Sequence, residues 1–233
     1  MATRVRQRAD GLDAKNPPET WQHGRALLEC VKAAPVVKIV GTDSADVELG
    51  LASGKIACPT CGGILGPWGN ARPRLIRFHG RSRWRNPRRS RCRQCGKTHV
   101  LLPNDLLVRR RDGIDVIGDA LTRTSKGVGF RKIAKELDRP PETVRGWLRA
   151  FRSGAEKVRT HFTRWAVDLD SESFEIPPTG TTFGDAVGAI AAAGSAAVRK
   201  GITDDPWHFA SAVTIGGLLC NTTCPWAGPQ RGI

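Results

Sequence analysis

"CRQCGKTHVLLP", residues 92–103, sets two cysteines two residues apart immediately before an apolar run, and "CPTCGG", residues 58–63, repeats the spacing upstream. Each Cys-x-x-Cys suits a tight knuckle, a turn that points two thiolates at one ion while backbone amides reach the sulfurs. Gly62, Gly63 and Gly96 follow the knuckles, where the chain often needs a positive φ. Four thiolates, from Cys58, Cys61, Cys92 and Cys95, match the tetrahedral preference of Zn²⁺. Two unrelated pairs of free cysteines, or a redox dithiol, are the alternatives, although one Cys-x-x-Cys suffices for redox work. Seven cysteines is an odd number. The opening residues, "MATRVRQRADGLDAKNPP", lack the apolar core of a secretion signal, so a disulfide framework is not expected. His99 sits in "THVLL" and reads as a structural strand residue rather than as a competing ligand.

Outward from the knuckles, "WGNARPRLIRF" (68–78) and "THVLL" (98–102) suit short strands. Two knuckles on hairpins clamping one ion make a zinc ribbon. The 30-residue spacer between Cys61 and Cys92 is long for that fold, so one hairpin must carry an extended arm. The arm is "HGRSRWRNPRRSR", 79–91, with Arg81, Arg83, Arg85, Arg88 and Arg89, Trp84, and no carboxylate. One reading is a disordered, solvated loop. The other is a nucleic-acid arm, with guanidinium forks on phosphate and Trp84 stacking on a base. Arginine supplies 27 of the 37 basic residues, so part of this preference is compositional.

The charge is unevenly spread over the 233 residues. Positions 1–48 are neutral; positions 49–104 hold 12 basic and no acidic side chains; positions 105–165 carry net +7 and positions 166–233 net −4. A total of +15 points to a polyanionic partner, nucleic acid above all. No stretch of 18 uncharged apolar residues occurs, so no membrane partner is expected. Localisation is expected to be cytoplasmic, at the nucleoid.

Beyond a basic hinge, "RRRD" (109–112), whose Arg109, Arg110 and Arg111 suit phosphate contact, apolar residues recur at helical spacing. Ile114, Ile117 and Leu121 share one face; Ile133, Ala134 and Leu137 share the next. "DRP" is a turn, and Pro141 suits the first position of a third helix. Val144, Trp147, Leu148 and Phe151 line the third helix. Three short helices with a tight turn before the last make a helix-turn-helix. Its exposed face presents Thr143, Arg145 and Arg149 to a major groove, with Arg145 as the base reader. An ordinary three-helix unit with a solvated charged face is the alternative.

"LASGKIACPTCGG" (51–63), "GPWGNARPR" (66–74), "RCRQCGKTHVLLP" (91–103), "RRRD" and "IAKELDRPPETVRGWLRAF" (133–151) together resemble a family of high-GC bacterial proteins. That family joins a zinc ribbon to a helix-turn-helix, is of unknown function and is associated with insertion-sequence transposases. The likeness runs from about residue 45 to the tail "WHFASAVTIGGLLCNTTCPW" (207–226). It implies that Cys58, Cys61, Cys92 and Cys95 hold metal, that Arg145 and Arg149 lie on the recognition helix, and that a transposase is a candidate partner. Asp138 stands where glycine is more usual, and Cys220 and Cys224 stand where serines are expected.

In the tail, "FGDAVGAIAAAGSAAVRK" (183–200) is a helix of small residues that another helix can approach closely. An intramolecular hairpin with "PWHFASAVTIGGLLC" (206–220) and a homodimer contact are both open. His208, Cys220 and Cys224 lack a fourth ligand for a second metal site. The acids are scattered, with no strand-borne carboxylate set for two-metal strand transfer, so the chain is not expected to be an enzyme. The expected fold is α+β: a small β zinc ribbon (49–104), a helix-turn-helix (105–165) and a linker with a helical tail (166–233), preceded by an N-terminal segment (1–48). The expected function is sequence-specific binding of double-stranded DNA, as a transposition accessory factor or transcriptional regulator. An RNA-binding or ribonucleoprotein scaffold module is the alternative.

Overall fold

The computed structural model describes residues 37–171 and 176–220. Its architecture is mixed α+β, with a small sheet at the cysteine end and helices beyond it. The central strand of the sheet is β6 (Thr98–Pro103). Its alternation sends His99 and Leu101 to one face, Val100 and Leu102 to the other. β5 (Arg88–Cys92) pairs antiparallel with it, β2 (Leu65–Asn70) pairs antiparallel with β5, and β1 (Val37–Val40) runs parallel on the far side. The order is β1-β6-β5-β2. A separate hairpin joins β3 (Arg74–Phe78) to β4 (Arg81–Arg85), turning at Gly80 with φ 60°.

Each sheet face is covered by a small apolar cluster. On one, helix α1 (Ser44–Ala52) packs Val47 and Leu51 on Leu65, Leu101 and the buried cysteines Cys58 and Cys92. Asp43 caps α1 by accepting the Ala45 amide at 2.8 Å. On the other, the hairpin buries Ile76 and Phe78 against Leu102 and Leu106. The arginine-rich arm is therefore strand rather than solvated loop: its first half is β4, its second half β5.

β1 and part of α1 fall in the stretch read from sequence as a neutral N-terminal segment, yet β1 completes the sheet. The expected basic hinge is likewise folded. Leu106 and Leu107 are buried, the Ile114 amide donates to the Asp105 carbonyl at 2.9 Å, and the Gly113 amide donates to the Arg77 carbonyl at 2.9 Å.

Three helices follow: α2 (Ile114–Ser125), α3 (Phe130–Glu136) and α4 (Pro141–Leu169). The apolar faces read from sequence on all three are buried together. Between α3 and α4, Asp138 takes φ 52°, the left-handed conformation that a glycine adopts more freely, and Arg139 donates its amide back to the Ala134 carbonyl at 2.9 Å. Pro141 opens α4, as expected. The helix then continues through position 165, burying Ala155, Val158, Phe162, Ala166 and Leu169. These pack on α5 (Thr182–Arg199), whose alanines and glycines let the two helices lie close.

α6 (Pro206–Val213) completes the body. Asp205 caps it, accepting the amides of Trp207 at 2.7 Å and His208 at 3.0 Å. α5 and α6 pack on each other, the intramolecular arrangement among the two readings of the tail. α6 and the segment after it return to the residues before the hinge: Ser211 Oγ, on α6, donates to the Leu106 carbonyl at 2.7 Å, and the Val108 amide to the Gly216 carbonyl at 2.9 Å. A single apolar core thus runs from Leu107 to Leu219. No helix among the described residues is long and apolar enough to cross a membrane.

Candidate metal centre and basic surface

The two knuckles form because each short turn closes on its own backbone. The Gly62 amide donates to the Cys58 carbonyl at 2.9 Å, and the Gly96 amide to the Cys92 carbonyl at 3.1 Å. Gly62 and Gly96 take φ of 75° and 69°, as expected, whereas Gly63 does not have a positive φ. The Arg93 amide donates to the Ile64 carbonyl at 3.0 Å, tying one knuckle to the other.

Cys58, Cys61, Cys92 and Cys95 converge with their sulfurs all within 4.8 Å of one another. Cys61 and Cys92 are 3.5 Å apart, Cys58 and Cys95 3.8 Å. Neither separation is that of a disulfide, and all four are free thiols. Cys58 and Cys92 are buried at the floor, while Cys61 and Cys95 form the rim. The four could hold a metal ion.

The electrostatics favour one. Hydrogen bonds from the Cys95 and Gln94 amides, each 3.4 Å from Cys92 Sγ, outweigh burial and push that thiol down to about 6. The Gly63 amide pulls Cys61 the same way, but the neighbouring thiols overcome it and push Cys61 up to about 12. Ionisation of one thiol thus disfavours ionisation of the next, an effect that a cation among the four would relieve.

His99 is buried, with Nε2 3.4 Å from Cys58 Sγ. It lies beside the sulfur cluster on β6, outside the set of four cysteines. Lys38 on β1 is also near Cys58: burial pushes its ammonium down, and the sulfur's charge opposes that shift.

The arginines divide into two groups. Arg81 and Arg83 on β4 are exposed and make no ion pair among the described residues. Trp84, 72% exposed, stands opposite Leu75 across the hairpin. Arg109 and Arg111 are exposed, and Arg89 is half-buried.

Three further arginines expected at phosphates have partners within the protein. Arg85 pairs with buried Asp105 at 2.6 Å, and Arg88 with Glu48 at 2.7 Å. Arg110 donates to the Leu219 carbonyl at 3.0 Å. On α4, Thr143 is half-buried, Arg149 is exposed, and Arg145 is exposed with a 3.4 Å contact to Glu142.

Sequence reasoning missed the latch between hairpin and helices. Buried Asp112 accepts from Arg77 at 2.7 Å and from Arg139 at 2.6 Å. Arg139 also donates to the Phe78 carbonyl at 3.1 Å, in the hairpin, and to the Leu137 and Asp138 carbonyls at 3.0 and 2.9 Å, in the α3–α4 turn. A groove lined by Phe78–Ser82 and Glu136–Arg139 results. The only local signal was an acid closing the run of arginines in "RRRD". The end of "WHFASAVTIGGLLCNTTCPW", with Cys224, lies outside the described residues. His208 approaches Asp204 at 3.6 Å, and Cys220 joins no metal cluster among the described residues.

A four-cysteine centre on a small basic sheet, latched to a helical body, is thus the class of molecule. Residues 58–147 match a family model described as a domain of unknown function (DUF6431), which spans both knuckles, the hairpin and the start of α4. No curated protein and no solved structure matches the chain.

Proposed function

We propose that the protein is a zinc-stabilised, sequence-specific double-stranded DNA-binding protein, built from a zinc ribbon and a helix-turn-helix. The observation that carries this reading is the Asp112–Arg139 latch. It sets the tip of the arginine hairpin beside the α3–α4 turn, so the end of a cationic strand pair and the turn leading into a candidate recognition helix line one groove. α2, α3 and α4, with a tight turn before α4, are the parts of a helix-turn-helix.

Zinc is favoured by the donor set. Metal–sulfur bonds of about 2.3 Å in a tetrahedron put sulfurs about 3.8 Å apart, and two pairs here stand at 3.5 and 3.8 Å. The ion would contribute folding energy and a fixed frame for the hairpin. A duplex reader of this kind serves as a transposition accessory factor or a transcriptional regulator, beside a transposase or a second copy of the chain.

Selection of duplexes from a random pool by the full chain tests the reading. An enriched motif is expected. Arg145→Ala should relax preference at one base pair and cost about 1–3 kcal/mol. Arg81→Gln with Arg83→Gln should weaken all duplexes alike and lower the salt slope by roughly one per lost phosphate contact. A pool that emerges unenriched overturns sequence-specific binding.

A further inference from the structure

A second aromatic stands on the basic sheet, at the edge opposite the one that α6 meets. β2 is the edge strand of the order β1-β6-β5-β2, whereas α6 lies against β1 at the other side. On β2, Trp68 is 51% exposed. The guanidinium carbon of Arg91 sits 4.7 Å from the centre of the Trp68 ring. Arg91 is held there by its Nε, which donates to the Gly96 carbonyl at 3.1 Å.

Around this pair the surface is concave, lined also by Gly66, Arg93 and Gln94. Gly66 pairs with Arg91 across β2 and β5, on the face opposite buried Ser90 and Cys92. A Cβ at Gly66 would stand 3.3 Å from Arg93 Nε, so a side chain there would crowd Arg93. Arg93 is exposed and makes no ion pair among the described residues. The segment 49–104 contains no carboxylate to compete for it.

We propose that this hollow binds a single unpaired nucleotide. The base stacks on the Trp68–Arg91 ledge, and its phosphate meets Arg93. Three features select that ligand. A π-face and a guanidinium plane both stack bases without demanding a sequence. The hollow, of about 490 Å³, has room for one nucleotide rather than for a duplex. Its place at the far edge suits a strand leaving a duplex held at the hairpin and α4. The inference rests on the nucleic-acid reading above and adds that duplex ends or junctions with free strands are preferred over continuous duplex.

The test measures binding of the full chain, at fixed salt, to one core duplex in three forms: blunt, with a short DNA overhang, and with the same overhang in RNA. An overhang should tighten binding roughly 5- to 100-fold, the range expected from stacking a base. Equal gains from the two overhangs mean that the base and phosphate are read; a gain from one alone means that the sugar is read too. Trp68→Ala should abolish the gain and leave blunt-duplex affinity unchanged, Trp68→Phe should retain part of it, and Arg93→Gln should reduce it. Binding of the blunt duplex with no gain from either overhang overturns this proposal alone. Overhang binding that depends on Trp68, without blunt-duplex binding, overturns the duplex reading alone. A Trp68→Ala loss shared equally by all three probes makes Trp68 merely structural, and no binding of any probe overturns both proposals.

Discussion

Among single residues, Cys58 and Cys92 matter most to the sheet end, because each belongs both to the sulfur cluster and to the apolar cluster under α1. That cluster holds few aliphatic side chains, too few to hold a sheet without a staple. Structural zinc contributes on the order of 10 kcal/mol in such modules. Cys92→Ser should therefore release one metal ion per chain, read by native mass spectrometry, and unfold the sheet while the helical body stays folded by circular dichroism. Wild-type protein prepared without chelators and found metal-free would contradict this. A second residue sets the acid response of the body. Burial pushes His161 down to about 4, and its Nε2 accepts the Trp165 indole N–H at 3.2 Å, a bond the protonated ring cannot accept. The unfolded chain takes up the proton first, near its ordinary value of about 6.5. Stability is thus full above that value and declines as pH falls towards 4, by at most about 3 kcal/mol. His161→Gln should flatten this part of the curve of denaturation midpoint against pH; an unchanged slope assigns the acid response elsewhere.

Between elements, close approach is set by glycine. On α5, a Cβ at Gly194 would stand 2.5 Å from the Cβ of Pro206 and 2.7 Å from its Cα, which begins α6 and cannot swing away. Gly194→Ala should therefore destabilise the body by about 1–3 kcal/mol, despite alanine's better helix propensity. Gly154 on α4 meets nothing within 4 Å, so Gly154→Ala should stabilise by up to about 1 kcal/mol. Thermal melts of the two variants are expected to move in opposite directions; movement in the same direction means that α6 does not pack there. The small-residue pattern of α5 was legible in the sequence. Its partner was left open between a hairpin and a dimer, because a small face says only that something comes close.

On the scale of the whole molecule, the α4–α5 contact joins α2, α3 and α4 to the tail helices in one apolar core. A chain ending at 165 would strip α5 from Ala155, Val158 and Phe162, and the return of residues 214–220 from the hinge. Such a truncation should lose the cooperative thermal transition of the helices, although it retains α2, α3 and the first turns of α4. A truncated chain that melts as cooperatively as the full one would mean that 105–165 folds by itself. The latch acts at the same scale. Arg139→Ala leaves Asp112 with Arg77 as its remaining ion-pair partner, so it should lower the thermal midpoint, at a cost below the roughly 3–5 kcal/mol of a buried charge left without any partner.

The local patterns were sufficient for the chemistry that is itself local. Two Cys-x-x-Cys turns close on their own backbone amides, so their spacing alone identified the four converging thiols. Apolar residues at helical intervals announced α2, α3 and the start of α4, and Pro141 marked where α4 begins. What the chain could not announce is whatever depends on a distant partner. Val37–Val40 carries no alternation that distinguishes an edge strand, and only its parallel pairing with Val100–Pro103 makes it one. The arginines of 79–91 looked equivalent in a stretch without acids. Glu48 and Asp105, brought in from either side of it, withdraw Arg88 and Arg85 and leave Arg81 and Arg83 to solvent. Charge is written in the composition, but which charges remain free is decided by where folding puts the opposite ones.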